Sequence, residues 1–282
     1  MDYERVRAWT FPEIERSYTD RDTMLYALGL GLGARPTDAV ELRFVTEPRL
    51  ETLPTMAAVV GRNPPWLDQV GVRVTDAVHG EQQMTFVHPL PSTGTVRVRS
   101  RVAGVVDKGP GRGALILTGQ EIVDVATGEV ACTAIQTAFI RGAGGFGGPS
   151  GPSAPPHPMP SRPPDAVDDF TTFPQMALLY RLSGDRNPLH ANPEVARAAG
   201  FPRPILHGLC TYGIAGWQIL RTLADGEPRR LSALQARFSA PVLPGETLRT
   251  ELWRDGSEVS FQTRIVERDV LALSHGRAVL QG

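Results

Sequence analysis

An aspartate and a histidine lie five residues apart in the run YRLSGDRNPLH, at 180–190. Asp185 and His190 flank an Asn-Pro step, in which Asn187 suits a helix N-cap and Pro188 suits the first helical position. On an ideal helix, five residues would separate the two side chains by about 140°. We therefore expect Asp185 in the turn before a helix and His190 in its first turn, where both can face one cavity. A carboxylate and an imidazole so placed can bind a water molecule, remove one of its protons and return a proton elsewhere.

The same run also has an ordinary structural interpretation. Ser-Gly-Asp and Asn-Pro are common in turns, Asp185 could be a plain cap, and His190 could be a hydrogen-bonded structural histidine. The rest of the chain has to decide between the two interpretations.

The composition excludes several classes of protein. The chain has 282 residues, of which 41% are hydrophobic and 21% charged, as is typical of a folded protein with two domains or one doubled domain. A net charge of −1 gives no electrostatic basis for binding nucleic acid or an anionic membrane surface. Cys132 and Cys210 lack metal-ligand spacing, so we expect reduced thiols and no metal site.

The chain shows no signal sequence, no apolar run long enough for membrane insertion and no peroxisomal tripeptide at its end. Its basic residues are nearly all arginine, which favours a GC-rich bacterial source. We expect a cytoplasmic bacterial protein.

A Gly- and Pro-rich segment divides the chain into two halves of similar size. Residues 141–170 have the composition of a linker rather than of a core. The predicted domains are therefore 1–140 and 171–282.

The two halves repeat the same order of motifs. In each, an apolar helical run is followed by a Phe-x-x-Pro segment and then by alternating strand patterns. Thr55 precedes Phe86 by 31 residues, and Gly208 precedes Phe238 by 30. This matched spacing indicates an internal duplication with an α+β architecture, in which a sheet wraps each helix.

The acid–imidazole pair is not repeated. Asp185 lies 23 residues before Gly208, and the same offset before Thr55 falls at Leu32, where there is no carboxylate–histidine pair. We expect the chemistry in the second half and the rest of a substrate in the first.

These motifs resemble a known enzyme family. The run YRLSGDRNPLHANP, followed by GFPRPILHGLCTYG, is similar to the hydratase 2 signature of MaoC-like (R)-specific enoyl-CoA hydratases. Further segments resemble the hydratase domain of peroxisomal multifunctional enzyme type 2 and mycobacterial stand-alone homologues: DRDTMLYALGLG, LPTMAAVVG, HGEQ, DKG, GGFGG and ARFSAPVLPGETL. The resemblance implies a double hot-dog fold, a homodimer, an acyl-CoA thioester as substrate, and no cofactor or metal.

The implied reaction is reversible hydration of (2E)-enoyl-CoA to (3R)-3-hydroxyacyl-CoA. Asp185 and His190 match the family's catalytic pair, although coupled titration leaves open which of them is the base. Asn187 matches the signature asparagine and would orient the water or the site. Gly208 matches the family's oxyanion position. This agrees with the chemistry of a helix start, where a free N–H can stabilise the charge on the thioester oxygen.

The resemblance also implies residues that bind the substrate or its CoA moiety, namely His79, Gly80, Lys108, Arg186, Pro188, Leu189 and Phe238. Lys108 could equally be an exposed turn lysine, and Phe238 could be a core residue. Arg203 and Arg237 are further candidates for contacts with the CoA phosphates.

The predicted end of the first helix bears on the length of the substrate. Pro64-Pro65 should end the first helix near residues 60–63, and a shortened helix would leave a channel for medium to long acyl chains. The alternatives are a 3-hydroxyacyl dehydratase of fatty-acid synthesis, a hot-dog acyl-CoA thioesterase and a non-catalytic acyl-CoA-binding subunit.

Overall fold

The computed structural model describes residues 1–150 and 155–282, and ten strands of this part form one antiparallel sheet. The strands are β1 Ile14–Tyr18, β2 Ala77–Phe86, β3 Gly94–Asp107, β4 Ala114–Asp124, β5 Val130–Ile140, β6 Ala166–Thr171, β7 Leu231–Phe238, β8 Thr247–Asp255, β9 Glu258–Ile265 and β10 Val270–Leu280. The helices are α1 Tyr3–Arg7, α2 Asp20–Gly29, α3 Ala39–Leu42, α4 Ala57–Val60, α5 Met176–Tyr180, α6 Pro193–Ala198 and α7 Gly208–Leu223.

The strand order confirms the duplication. It runs β1-β3-β4-β5-β2-β7-β10-β9-β8-β6, so each half contributes five strands in the same internal order. The two halves join where β2 pairs with β7, with Gln83 opposite Gln235. The double hot-dog expectation therefore appears as one continuous sheet with a pseudo-twofold axis at its centre.

Matching ion pairs lie near the two edges of the sheet. At the β1 edge, Arg97 donates to Glu15 with an N–O distance of 2.7 Å, and the two residues are directly opposite in the ladder. At the β6 edge, Arg249 donates to Asp169 over 2.7 Å, again between opposite residues. The repeat therefore extends to the pairing of individual side chains.

The long helix α7 lies against the sheet and forms the centre of the main core. Its sixteen residues are apolar around most of the circumference, as expected of a buried helix. Gly213 and Gly216 permit close packing, since added Cβ atoms would lie 2.9 Å from Leu30 and 3.1 Å from Thr55. The helix thus contacts both halves of the chain.

The corresponding helix of the first half is much shorter. A 3-10 turn at Pro54–Met56 leads into α4, which ends at Val60 before Pro64-Pro65, as predicted. Instead of further helical turns, a second apolar cluster covers this part of the sheet. It consists of Val6, Val70, Val72, Val105, Ile116 and Ile140.

The strand patterns noted in the sequence correspond to β3, β4, β5, β8, β9 and β10. The central strands β2 and β7, and the edge strands β1 and β6, were not predicted. Strand β6 begins at Ala166, so the end of the segment taken as linker belongs to the sheet. Residues 151–154 of that segment lie outside the described residues. In the described parts of the chain, no helix has the length and apolar character to cross a membrane.

Candidate active site

The loop between α5 and α6 has the geometry expected from its sequence. Asn187 caps a 3-10 turn, because its side-chain oxygen accepts a hydrogen bond from Leu189 N at 3.0 Å. Pro188 opens that turn and His190 closes it, while Asp185 precedes it. Asp185 therefore lies before the turn and His190 within it, as predicted, although the turn is a single 3-10 turn rather than the start of a longer helix.

Asp185 is held by a cation from the other half of the chain. Its Oδ1 lies 2.7 Å from Nη1 of Arg62 and accepts a hydrogen bond from Asn187 N at 3.1 Å. Burial alone would raise the pKa of Asp185, but the Arg62 guanidinium beside it brings the pKa below its ordinary value. The carboxylate is therefore ionised at neutral pH.

His190 is buried and neutral. Its Nδ1 donates to the carbonyl oxygen of Ile205 over 2.8 Å, which leaves the lone pair on Nε2 free. Burial lowers the pKa of His190, and the Ile205 carbonyl and the Asp185 carboxylate only partly oppose this. At neutral pH the imidazole can thus accept a proton through Nε2.

A second histidine, His207, stacks on His190 with ring centroids 3.7 Å apart. Its Nε2 donates to the Asp185 backbone carbonyl over 3.0 Å, so the histidine fixes the backbone of the loop between α5 and α6. Burial and the neighbouring His190 lower its pKa to about 3. His207 therefore stays neutral, and its hydrogen bond to Asp185 and its stacking on His190 connect the start of α7 to the loop.

The three groups converge on one point. One potential ligand atom from each of Asp185, His190 and His207 lies within 4.8 Å of the others. The guanidinium of Arg62 already neutralises the carboxylate, so the charge balance suits a water molecule between two acceptors better than a metal cation. Such a water can donate to Asp185 and to His190 at the same time.

Gly208 is the first residue of α7, where the backbone N–H is not used inside the helix. A Cβ at this position would come within 3.2 Å of Cε1 of Phe238. The absence of a side chain therefore keeps the helix start accessible beside the Phe238 ring, as a thioester oxygen approaching this N–H would require.

The first half contributes His79 and Gly80 to the same region. The His79 ring lies 4.5 Å from the ring of Phe238, and its Nε2 is 3.1 Å from Oε1 of Gln82. Burial lowers the pKa of His79 to about 4. Gly80 occupies a bulge between β2 and β5, where a Cβ would lie 3.3 Å from the Thr137 carbonyl oxygen.

Lys108 lies at the tip of the β3–β4 hairpin, and Asp107 shapes its surroundings. The Asp107 carboxylate accepts hydrogen bonds from the N–H groups of Gly109, Gly145 and Gly147 at 2.8, 2.7 and 3.0 Å. It thereby joins the DKG and GGFGG motifs. The strand pairing runs from the end of β3 through β4 and β5 to the start of β2. These three steps between neighbouring strands place the hairpin tip about 14 Å from the start of β2.

The remaining predicted contacts lie at the surface. Arg186 and Pro188 are exposed and Leu189 is half-buried on the loop between α5 and α6, and Arg203 is exposed before α7. Arg237 differs from expectation: its guanidinium pairs with Glu81 at 2.6 Å and lines an outer groove of about 490 Å³ with Pro155 and Pro158. Neighbouring strand residues point to opposite faces, so Arg237 lies on the other side of the sheet from Phe238.

Arg62 and His207 are the residues that the sequence analysis missed as parts of the site. Arg62 gave no local signal, because its partner lies 123 positions further along the chain and in the other half. His207 did leave a signal, since Leu206-His207-Gly208 matches Leu53-Pro54-Thr55 in the repeat, but the sequence analysis gave a role to Gly208 alone.

Comparison with family models matches both halves of the chain. A model described as the MFE-2 hydratase 2 N-terminal domain matches residues 17–142, and one described as a MaoC like domain matches residues 157–275. The chain belongs to the MaoC-like hydratase 2 family. The resemblance noted in the sequence is thereby confirmed.

Named relatives agree with this assignment. The chain is 41% identical to 3-hydroxyacyl-thioester dehydratase Y of Mycobacterium tuberculosis, over 95% of this chain and 93% of that protein. It is 39% identical to the peroxisomal enoyl-CoA hydratase 2 of Arabidopsis thaliana, over 95% of this chain and 92% of the relative.

Two solved structures share the fold. A MaoC-like dehydratase from Phytophthora capsici superimposes with a TM-score of 0.88 at 30% identity, covering 100% of this chain and 99% of that one. A Mycobacterium tuberculosis protein described as having a double hot-dog fold superimposes with a TM-score of 0.60 at 17% identity, over 97% of each chain. The double hot-dog architecture is confirmed.

Proposed function

We propose that this protein catalyses the reversible addition of water to (2E)-enoyl-CoA thioesters to give (3R)-3-hydroxyacyl-CoA in fatty-acid metabolism. The observation that carries the proposal is the convergence of Asp185 and His190 beside the glycine that begins α7. The relative from Arabidopsis thaliana is named an enoyl-CoA hydratase 2, which supports the reaction class.

In the proposed mechanism, the water molecule lies between the Asp185 carboxylate and Nε2 of His190. One of these groups removes a proton while the water oxygen bonds to C3 of the substrate. The C2=C3 electron pair moves toward the thioester, and the Gly208 N–H stabilises the resulting enolate oxygen. The pair then returns a proton to C2, so that one water molecule has been added in total. Asn187 orients Asp185 through its backbone N–H.

We propose that binding extends along both halves. His79, Gly80 and Phe238 border the acyl thioester, and Arg186, Pro188 and Leu189 contact CoA from the catalytic loop. Lys108, on the hairpin organised by Asp107, supplies a positive charge for a CoA phosphate. The apolar cluster under β3–β5 lies beside His79, because Ala138 both pairs with His79 and packs on that cluster. This location supports medium to long acyl chains.

We further propose that the enzyme needs no metal or other cofactor, acts as a homodimer and resides in the bacterial cytoplasm. The Arg62–Asp185 pair supports a metal-free site, and the mycobacterial relatives support the location. The surface formed by α2, α5 and the 3-10 turn after α5 exposes Leu28, Leu178 and Leu182, which supports a second copy as partner. Light scattering should then give twice the chain mass of 30.5 kDa.

The assay mixes the purified protein with crotonyl-CoA and with (2E)-decenoyl-CoA. We expect loss of the conjugated absorbance, a (3R) product and no release of free CoA, which would instead indicate the thioesterase. Asp185→Asn and His190→Gln should each lose on the order of 10²- to 10⁴-fold in kcat while remaining folded. Near-normal turnover in either folded variant, or a (3S) product, would overturn the assignment. A steady decline of kcat/KM from four to ten carbons would remove the chain-length proposal.

A dehydratase of fatty-acid synthesis is the second candidate, because a relative of 41% identity carries a dehydratase name. The two reactions are the same equilibrium run in opposite directions. Comparing kcat/KM for CoA and acyl-carrier-protein thioesters separates them.

A further inference from the structure

Arg62 connects the first half of the chain to the catalytic loop of the second. It lies two residues beyond the end of α4, and its Nη1 is 2.7 Å from Oδ1 of Asp185. The Asp185 side chain is 22% exposed and that of Arg62 40%, so the pair lies at the mouth of the site. We infer that Arg62 is a positioning residue that holds the Asp185 carboxylate ionised and oriented toward the reacting water. This inference rests on the proposed function.

The backbone around Arg62 is fixed by side chains from two strands. Arg16 of β1 donates to the carbonyl oxygens of Val60 and Arg62 at 2.9 and 3.0 Å. Gln120 of β4 donates to the carbonyl oxygen of Gly61 at 2.7 Å. The carbonyls that a helix end leaves unpaired are thus satisfied, and the turn carrying Arg62 is held in one place.

The internal repeat shows that position 62 has a buried counterpart in the second half. Aligning Thr55 with Gly208 pairs Arg62 with Ala215, which is fully buried in the middle of α7. Had the first helix continued like α7, position 62 would lie in the core, where an unpaired guanidinium is strongly destabilising. Because α4 ends at Val60, the side chain can instead reach across to Asp185. The shortened helix therefore serves the chemistry of the other half.

The electrostatics of the site favour the same role. Several charged or titratable groups interact electrostatically with Asp185 or His190. Apart from that pair itself, they are Arg62, His79, Tyr180, Arg181 and His207. Arg62 is the one that pairs with the Asp185 carboxylate directly, and His79 and His207 are neutral at pH 7. Burial raises the pKa of Asp185, so removing the guanidinium leaves that effect largely unopposed.

The test compares wild type with Arg62→Gln, Arg62→Lys and the control Arg99→Gln. Arg99 is an exposed arginine of the same half, paired with Glu13, and its loss should leave turnover unchanged. Arg62→Gln should lower kcat on the order of 10- to 100-fold at neutral pH. In both proteins the rate should fall when the pH is lowered far enough to protonate Asp185. In Arg62→Gln this fall should begin at a higher pH than in wild type, because the pKa of Asp185 is higher without the guanidinium. Arg62→Lys should restore part of both properties.

A second readout does not depend on turnover. Carbon-13 labelling of the aspartate carboxyl groups allows Asp185 to be titrated by NMR, with its signal identified by its absence in Asp185→Asn. The Asp185 titration should move to higher pH in Arg62→Gln and stay in place in Arg99→Gln. An unmoved titration, or a rate loss that is uniform with pH and not rescued by lysine, would overturn the role of Arg62. If the Asp185 titration shifts in Arg62→Gln but the wild-type protein does not hydrate enoyl-CoA, the proposed function alone is overturned.

Discussion

The two halves of the chain share one strand order and differ in a helix and a loop. In the second half, the sixteen-residue α7 begins at Gly208 and the preceding loop carries Asp185 and His190. In the first half, α4 ends after four residues and the corresponding loop has no acid–imidazole pair. The first half lacks that pair but contributes Arg62, which contacts Asp185, and His79, which contacts Phe238. The duplication has therefore produced two complementary halves rather than one active and one inert half.

The largest difference between the halves should appear at the matched helix starts. Gly208→Ala places a methyl group beside Phe238 and in the path of the thioester, so kcat should fall on the order of 10²-fold, as after loss of an oxyanion donor. Thr55→Ala instead removes the hydrogen-bond partner of the buried Tyr26 hydroxyl, 3.0 Å away. It should cost about 1–3 kcal/mol of stability with kcat unchanged. Steady-state kinetics measure kcat, and urea unfolding measures the free energy of unfolding, for both variants. Equal losses of kcat in the two variants would contradict the different roles of the two helix starts.

Stability should show no such division. Leu53 and Leu206 occupy matched positions before the two helices and are 3% and 2% exposed within one core cluster. Each Leu→Ala variant should lose about 2–5 kcal/mol of unfolding free energy. Because the halves share a sheet and a core, both should melt in one transition in calorimetry. Separate transitions for the two halves, in either variant, would mean that the halves fold independently.

A smaller effect should appear in the pH dependence of stability, with one histidine from each half. Burial lowers the pKa of His79 to about 4 and that of His207 to about 3, so both stay neutral in the folded protein. In the unfolded chain they bind protons below a pKa of about 6.5, so stability falls as the pH drops from about 6.5 toward 4. His79→Gln and His207→Gln should each reduce this slope by up to about 1.4 kcal/mol per pH unit. Urea unfolding at several pH values tests this, and unchanged slopes in both variants would contradict the lowered pKa values of the two histidines.

The local features of the site were predictable because they depend on neighbouring residues. The Asn187-Pro188 step places Asp185 before the turn and His190 within it, and the Pro-Pro pair limits the first helix. The central strand β2 escaped prediction because the bulge at Gly80 interrupts the alternation of apolar and polar residues. Arg237 was misplaced for a related reason: without the strand register, the face of the sheet on which it lies was not known.

The amino-acid sequence by itself determined the duplicated framework, the acid–imidazole pair and the glycine at the start of the long helix. These features depend only on residue types and on their spacing along the chain. Only the tertiary structure decided what surrounds that pair. The joining of β2 to β7 brings His79 to Phe238, and the early end of α4 brings Arg62 to Asp185. These contacts depend on where two distant segments meet in space. A pattern of neighbouring residues can predict a reactive group, but the charge that controls it comes from a segment more than a hundred positions away.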